Sequence, residues 1–245
     1  MSTVGFDFHD RVVLVTGVGR PGQIGNAVAL AFGKAGAKIV ACDVNAVGVA
    51  ERVREFSEQG VEARPCAGDL TQPDIAALAV ETAVESFGRL DVVVNVAGGL
   101  TTYGSIADVT PAGIQREIAI NLTTAVLVSQ AAVDALAKTE GCIVNFASVA
   151  YFQPMTSMAV YTAAKCAVAG FTRSLAVELA GRKVRVNAIA PATARTSENV
   201  AAMGTSGHFV ELRHITDGVM FLASSAADMI SGHILPVAPV VAGLA

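Results

Sequence analysis

A single doubly wound α/β domain is the fold this sequence predicts, with a mostly parallel seven-stranded sheet and helices on both faces. Three observations carry the prediction. Short runs of Val, Ile, Leu, Ala and Cys recur along the chain and are apolar throughout rather than alternating, as in strands buried on both faces. Between them lie longer stretches whose apolar residues fall at helical spacing. No linker, low-complexity stretch or repeat interrupts this alternation over 245 residues, a length that suits one large domain, here residues 1–245.

The elements follow in order. RVVLVT (Arg11–Thr16) is a β-branched run, followed by glycines and then by helical periodicity over Ile24–Ala35. AKIVAC (Ala37–Cys42) is a second strand, with a helix over Asn45–Gln59. Val61–Cys66 is a third strand, and Pro73 at the next helix start suits a first helical position, with that helix running to Phe87. LDVVVN (Leu90–Asn95) is the fourth strand, and a long helix is expected over Pro111–Ala137. Cys142–Ala147 is the fifth strand, before a helix over Thr156–Ala180, and Val184–Ile189 is the sixth. A helix over Asp217–Ser224 and a strand over His233–Val237 close the series.

Composition narrows the function. Hydrophobic residues make up 53 % and charged residues 16 %, so a deep core is expected, with apolar surface left for burial between subunits. The net charge of −4 comes without any basic block, which argues against nucleic acid or an anionic membrane as partner. Cys42, Cys66, Cys142 and Cys166 are scattered and read as small core residues in a reducing compartment, not as disulfides or a zinc site. The N-terminal MSTVGFDFHDR carries charges where a secretory leader needs an apolar core, so a cytoplasmic protein is expected. Ile118–Val133 is too short and polar to span a bilayer, and Met229–Ala245 holds helix-breaking glycines and prolines.

The first strand leads into Thr16-Gly17-Val18-Gly19-Arg20-Pro21-Gly22-Gln23-Ile24-Gly25. Glycines there let backbone amides approach a pyrophosphate, and the helix N-terminus adds favourable partial charge. Asp43 closes the second strand, where a carboxylate can accept hydrogen bonds from both ribose hydroxyls and repel a 2′-phosphate, favouring NAD over NADP. Arg20 pulls the other way, since a basic residue in the glycine turn could pair with that phosphate. Asp43 could also simply be an acid near a helix start at Asn45. Asp69-Leu70 is placed to flank an adenine, and the small residues of Asn95-Val96-Ala97-Gly98-Gly99 leave room for a flat ring. Each could equally be ordinary turn chemistry.

Ser148 to Lys165 (SVAYFQPMTSMAVYTAAK) holds a hydroxyl, a phenol and an ammonium. Tyr161 and Lys165 stand four apart, which puts them on one helix face. An ammonium beside a phenol favours the phenolate, so a lowered tyrosine pKa is expected, poised for proton exchange. Ser148 meets the phenol only if the chain reverses between strand end and helix. By itself the segment could be a helix with one tyrosine and one surface lysine.

Taken together these residues resemble the short-chain dehydrogenase/reductase family over nearly the full length. The carrying motifs are the Thr16–Gly25 turn, Asp43, Asp69, Asn95-x-Ala97-Gly98, Asn121, Ser148, Tyr161-x-x-x-Lys165, and Pro191 with Thr196. The resemblance implies a Rossmann-type domain, with Gly17, Gly19, Arg20, Gln23, Ile24, Asp43, Asp69, Leu70, Asn95, Ala97, Gly98, Tyr161, Lys165, Pro191 and Thr196 holding the nucleotide. It implies that Tyr161 is general acid or base, that Lys165 lowers its pKa and holds the nicotinamide ribose, and that Ser148 bonds the substrate oxygen. Asn121 is implied to interrupt its helix and hold a water in a relay to Lys165. No metal is implied, and the usual assembly is a homotetramer, with a dimer the smaller possibility.

Four features depart from the family pattern. The glycine turn is two residues longer than usual, with Gln23 where the last-but-one glycine stands. Val96 replaces a second asparagine, and Ala192 replaces the glycine after Pro191. The span from Pro191 to Phe221 leaves a short substrate lid, which fits an open pocket, a bulky substrate or help from a neighbouring subunit. The apolar ending LPVAPVVAGLA reads as buried against another subunit, or as a flexible tail. Candidate pocket liners (Gly98–Tyr103, Val149–Met158, Ala192–Gly204) are mostly apolar, favouring an apolar or cyclic secondary alcohol or ketone. The alternatives are a non-catalytic nucleotide-binding protein and an NADPH-dependent ketone reductase.

Overall fold

A computed structural model of the chain describes residues 5–239. Seven strands form one sheet: β1 (Val12–Thr16), β2 (Lys38–Asp43), β3 (Ala63–Ala67), β4 (Val92–Asn95), β5 (Cys142–Phe146), β6 (Arg185–Pro191) and β7 (Ile234–Val237). Their order is β3-β2-β1-β4-β5-β6-β7, and every pairing is parallel, so the expected mostly parallel sheet is wholly so. The order reverses between β1 and β4. At such a point the loops leaving the two strands diverge to opposite faces and open a crevice beyond their carboxyl ends.

Both faces of the sheet are covered, which explains the unbroken apolar runs. Along β1, Val13 and Val15 pack toward α1 (Ile24–Lys34), α2 (Ala46–Glu58) and α8 (Leu212–Ala223), through Phe32, Phe56 and Val219 among others. Val12 and Leu14 pack the other way, toward α3 (Pro73–Phe87), α5 (Thr124–Thr139) and α6 (Ala159–Leu179), through Ala79, Leu136 and Leu175. Strands without a solvent side cannot alternate. The edge strands β3 and β7 are the least buried and carry Pro65 and Pro236, as edges permit.

Four boundaries depart from the sequence reading. The expected helix over Pro111–Ala137 is divided into α4 (Pro111–Ile118) and α5 by a wider π-type turn at Ala119–Thr123. α6 starts at Ala159 because Ser157 has a φ of 65°, outside the helical region. α8 begins at Leu212, five residues before the expected Asp217. A short helix, α7 (Ser197–Met203), was not anticipated; the Thr196 hydroxyl caps it by accepting the Asn199 N–H. Of the apolar ending, Ile234–Val237 forms β7, and residues 240–245, on which burial against a subunit was expected, lie outside the described residues.

By length and composition, Pro111–Thr139 is apolar enough to cross a bilayer, with a mean hydropathy of 1.4 in its most apolar stretch. Its place in the fold accounts for that. Val128, Ala132 and Leu136 pack into the core between the sheet and the neighbouring helices, while Glu117 and Asn121 are buried polar groups near its break.

Candidate active site

The glycine turn is held by close backbone approaches. Gly17 has a φ of 74°, and a Cβ there would lie 3.1 Å from the Ala97 backbone. A Cβ on Gly25 would come within 2.1 Å of the Gly17 carbonyl oxygen, which is why the helix can start so tightly against the strand. The Thr16 hydroxyl accepts the Ala97 N–H at 2.9 Å, tying this turn to the loop after β4 across the crevice. α1 begins at Ile24 with no side chain capping it and no acid in its first turn. Its leading amides and positive end therefore face the turn without a competing carboxylate, as an anion would require.

The longer turn reaches α7. The Arg20 Nη1 donates to Glu198 Oε1 at 2.6 Å, and the Gln23 Nε2 donates to Ser197 Oγ at 3.4 Å. Asp43 stands against the turn: its Oδ2 accepts the Gly19 N–H at 2.7 Å and its Oδ1 accepts the Asn45 N–H at 2.9 Å. Asn45 is itself the cap of α2, accepting from Gly48, so Asp43 is not the cap. A Cβ on Gly19 would come within 2.7 Å of the Asp43 carboxyl carbon, so glycine is what admits the carboxylate.

Three of the residues expected to touch a nucleotide are turned elsewhere. The Asn95 side chain points into the core, its Nδ2 donating to Asn145 Oδ1 at 2.9 Å and Ser129 Oγ at 3.1 Å. Asn145 in turn donates to Thr172 Oγ1 at 3.0 Å, so a buried polar thread joins α5, β4, β5 and α6. Leu70 is buried in the core and supports the rim instead of lining it. The Thr196 hydroxyl is engaged as the α7 cap. Asp69 stays exposed at the rim, its Oδ1 accepting the Thr71 N–H at 2.9 Å, and Pro191 ends β6 beneath the lid. Gly98 has a φ of 140° and comes so close to Asn121 that a Cβ would meet its Oδ1 at 2.6 Å.

Ser148, Tyr161 and Lys165 are brought together at the carboxyl edge of the sheet. Ser148 follows β5 in extended conformation, and its Oγ accepts the Ala150 N–H at 3.2 Å. The chain then passes through a 3-10 turn, Val149–Tyr151, and an irregular segment to Met158 before it enters α6. On α6 the Lys165 Nζ lies 5.7 Å from the centre of the Tyr161 ring. The ammonium is buried, and among the described residues its hydrogen bond is to the Phe146 carbonyl oxygen, at 2.9 Å.

The phenol's pKa runs opposite to expectation. Partial burial holds Tyr161 above its ordinary value, against a downward push from the Ser148 hydroxyl and with a smaller upward push from the Glu117 carboxylate. The pairwise tyrosine–lysine argument ignored that desolvation. Burial pushes Lys165 down from 10.5 to about 8, while Glu117 opposes the fall.

That shift gives a stability prediction. Between pH 8 and 10.5 the unfolded chain binds this proton more tightly than the folded one, so raising pH through this window stabilises the fold. The raised Tyr161 opposes the gain only above pH 10.0. From pH 8 to pH 10 the wild-type chain should gain about 2 kcal/mol more than Lys165→Met does, read as urea midpoints at constant m-value. Equal slopes would show that the ammonium is not held as described.

Sequence reasoning missed Glu117, and it placed Thr101 only as one of the Gly98–Tyr103 pocket liners. Glu117 is fully buried; its Oε1 accepts Asn121 Nδ2 at 3.1 Å, and its Oε2 accepts the Thr101 N–H at 2.9 Å and hydroxyl at 2.5 Å. The one available signal was the four-residue spacing from Glu117 to Asn121 within the long helix expected over Pro111–Ala137. Cys166 was also misplaced: it is exposed on the outer face of α6, whereas Cys42, Cys66 and Cys142 are buried as expected. Among the described residues, no group of three His, Cys, Asp or Glu side chains is arranged to hold a metal ion.

Around the site, Leu100, Tyr103, Met155 and Met203 expose apolar surface. On the outer flank of the loop after β4 lies a cavity of about 260 Å³, with Thr101, Thr102, Tyr103, Asp108 and Thr110 in its walls.

Comparison with known proteins supplies the context. The family model for short chain dehydrogenase matches residues 11–204. A 2-(S)-hydroxypropyl-CoM dehydrogenase of Xanthobacter autotrophicus is 34 % identical, covering 91 % of this chain and 93 % of that protein. A cis-4-hydroxycyclohexanecarboxylate dehydrogenase of Sinomonas cyclohexanicum is 33 % identical, over 96 % and 97 % of the two chains. Among solved structures, a 7α-hydroxysteroid dehydrogenase complexed with NADH and 7-oxo glycochenodeoxycholic acid superposes with a TM-score of 0.88 at 26 % identity, covering 97 % of this chain and 96 % of that one.

Proposed function

Because the chain belongs to the short-chain dehydrogenase/reductase family, we propose that it transfers a hydride between NAD(H) and an apolar or cyclic secondary alcohol or ketone. The observation that carries this reading is the convergence of Ser148, Tyr161 and Lys165 on one side of the crevice whose other side is the glycine turn. One domain, residues 1–245, would supply both the nucleotide and the substrate sites.

The residues present fit a dinucleotide. Glycines stand where a Cβ would close the turn, and the α1 N-terminus has no carboxylate in its first turn. Gly17, Gly19 and the start of α1 would hold the pyrophosphate, Asp43 and Asp69 the adenosine end, and Ala97, Gly98 and Pro191 the nicotinamide end. Lys165 has donors left over beyond Phe146 and would reach the nicotinamide ribose. When bound, the nicotinamide exchanges the hydride with the substrate carbon.

The chain's own part is proton handling. In reduction, negative charge develops on the substrate oxygen; Tyr161 gives it a proton and Ser148 donates a second hydrogen bond where that charge forms. The phenol's raised pKa keeps its proton available for that step. Lys165 offsets the phenolate left behind. In oxidation Tyr161 takes the proton instead.

NAD is favoured over NADP on two contacts. The Asp43 carboxylate faces the turn where a 2′-phosphate would have to sit, and Arg20, the cation that could have paired with it, is held by Glu198. The apolar rim, and relatives named as a hydroxycyclohexanecarboxylate dehydrogenase and a hydroxysteroid dehydrogenase, support the substrate class. Apolar side chains exposed on the outer helices, Ile114 and Ile118 on α4 and Val177 on α6, support a homo-oligomer, a tetramer in this reading, with a dimer as the smaller form. Buried free thiols support a cytoplasmic setting.

The test is a calorimetric titration with NAD and NADP, beside turnover of a cyclic alcohol panel. NAD should bind at least tenfold more tightly, and Asp43→Ala should weaken it about ten- to hundredfold, as loss of charged hydrogen bonds does. Preference for NADP would overturn the Asp43 argument. Nucleotide binding without turnover on any panel member would favour a non-catalytic nucleotide-binding protein.

A further inference from the structure

We propose that Glu117 is a positioning residue of this site: its carboxylate fixes Asn121 and, through it and Thr101, the Gly98–Thr101 loop beside the crevice. The proposal rests on the acid–base role assigned above to Tyr161, and it adds a group that the glycine, Tyr161 and Lys165 motifs do not contain.

The geometry is a strut with two arms. One arm runs from Glu117 Oε1 to Asn121 Nδ2, at 3.1 Å. Asn121 then grips Gly99 at two points, accepting its N–H at 3.0 Å and donating to its carbonyl oxygen at 2.9 Å. The other arm runs from Oε2 to the backbone and hydroxyl of Thr101. Both arms end on the loop that leaves β4 beside the crevice, so residues 99 and 101 are pinned from one carboxylate. The π-type turn makes this possible: it sets Asn121 one turn past Glu117 while the amide also donates to the Glu117 carbonyl oxygen at 3.0 Å.

A fully buried carboxylate needs compensation. Three hydrogen bonds from Asn121 and Thr101 satisfy its oxygens, but they carry no positive charge. The cation whose titration Glu117 influences is Lys165, on the facing helix α6. The groups that bear on this cluster are Tyr161 and Lys165 from α6, Ser148 from the end of β5, and Thr101 from the loop; Arg116, next to Glu117 on α4, is exposed. Glu117 favours the protonated form of both Tyr161 and Lys165, so its removal moves both titrations in one direction, downward.

The chain has three tyrosines and no tryptophan, so tyrosinate absorbance in the near ultraviolet reads phenol ionisation cleanly. Subtracting the titration of Tyr161→Phe isolates one phenol in the nucleotide-free protein. Glu117→Gln, nearly isosteric, is expected to move that midpoint to lower pH with the far-ultraviolet circular dichroism unchanged. An unmoved midpoint in the folded variant overturns the coupling of this carboxylate to the Tyr161 phenol. Thr101→Val keeps the charge and the backbone N–H bond and removes the hydroxyl bond from one arm; amide hydrogen exchange at Thr101 should then quicken about ten- to hundredfold, the loss of one hydrogen bond to a charged acceptor. Unchanged exchange there overturns the strut, and this variant answers that half even if Glu117→Gln does not fold. Neither readout needs turnover, so a failure here and a failure of the oxidoreductase reading are told apart.

Discussion

Tyr161→Phe is expected to lower kcat by about a thousandfold, within the range general acid–base catalysis supplies, while NAD affinity stays within a few-fold of wild type. The substitution removes one oxygen and leaves the ring that Lys165 overlies at 5.7 Å. The ammonium keeps its bond to the Phe146 carbonyl oxygen, so the site retains its shape. What disappears is the phenol oxygen that the Ser148 hydroxyl bonds. Stopped-flow measurement of NADH formation with a cyclic alcohol, beside calorimetry with NAD, separates the two effects. Turnover preserved in the variant would sink the proton-transfer assignment, and lost NAD binding would show the phenol to be structural.

Ser148→Ala is expected to lower kcat by about a hundred- to a thousandfold, the usual loss for one donor aimed at developing negative charge. Here the pH profile carries more information than the size of the loss. The Ser148 hydroxyl pushes the Tyr161 pKa down against burial. Without it the phenol titrates higher still, so the oxidation profile should move to higher pH, since the base form is reached later. Ser148→Thr, which restores a hydroxyl, should recover part of the rate and return the profile. The same hydroxyl accepts the Ala150 N–H, so the alanine variant also loosens the turn into α6. A rate loss with an unmoved profile would mean that this loosening, and not contact with the phenol, is what matters.

Most of the fold was legible because the sheet is buried on both faces. Runs such as VVLVT and CIVNF have no solvent side, and only a covered parallel sheet demands that. The shared helix face of Tyr161 and Lys165 was legible from their spacing, whereas Ser148 joined them only through the family resemblance, because its approach depends on chain reversal after β5. What stayed hidden depends on long-range packing. α7 is held by a Thr196 cap and by side chains from the glycine turn, 174 and 178 residues away in sequence. Asn95 could face the nucleotide or the core, and only its partners Asn145 and Ser129 decide for the core. Glu117 carries no motif of its own, and its burial depends on the loop after β4 closing over it. The direction of the Tyr161 shift was misjudged because a two-body charge argument leaves out what partial burial does to the phenolate.

Asn95 and Asn145 occupy directly paired positions on the two central strands, and each extends through its own partner to a helix. In a largely aliphatic interior, two amides bonded to each other across the strands act as an indexing pin: sliding one strand by a single step would break that bond and leave polar groups facing hydrocarbon. The pin sits two residues before Ala97 on one strand and three before Ser148 on the other. The spacing between the Ala97 loop and Ser148 is therefore a property of the β4–β5 register and not of either loop's own course.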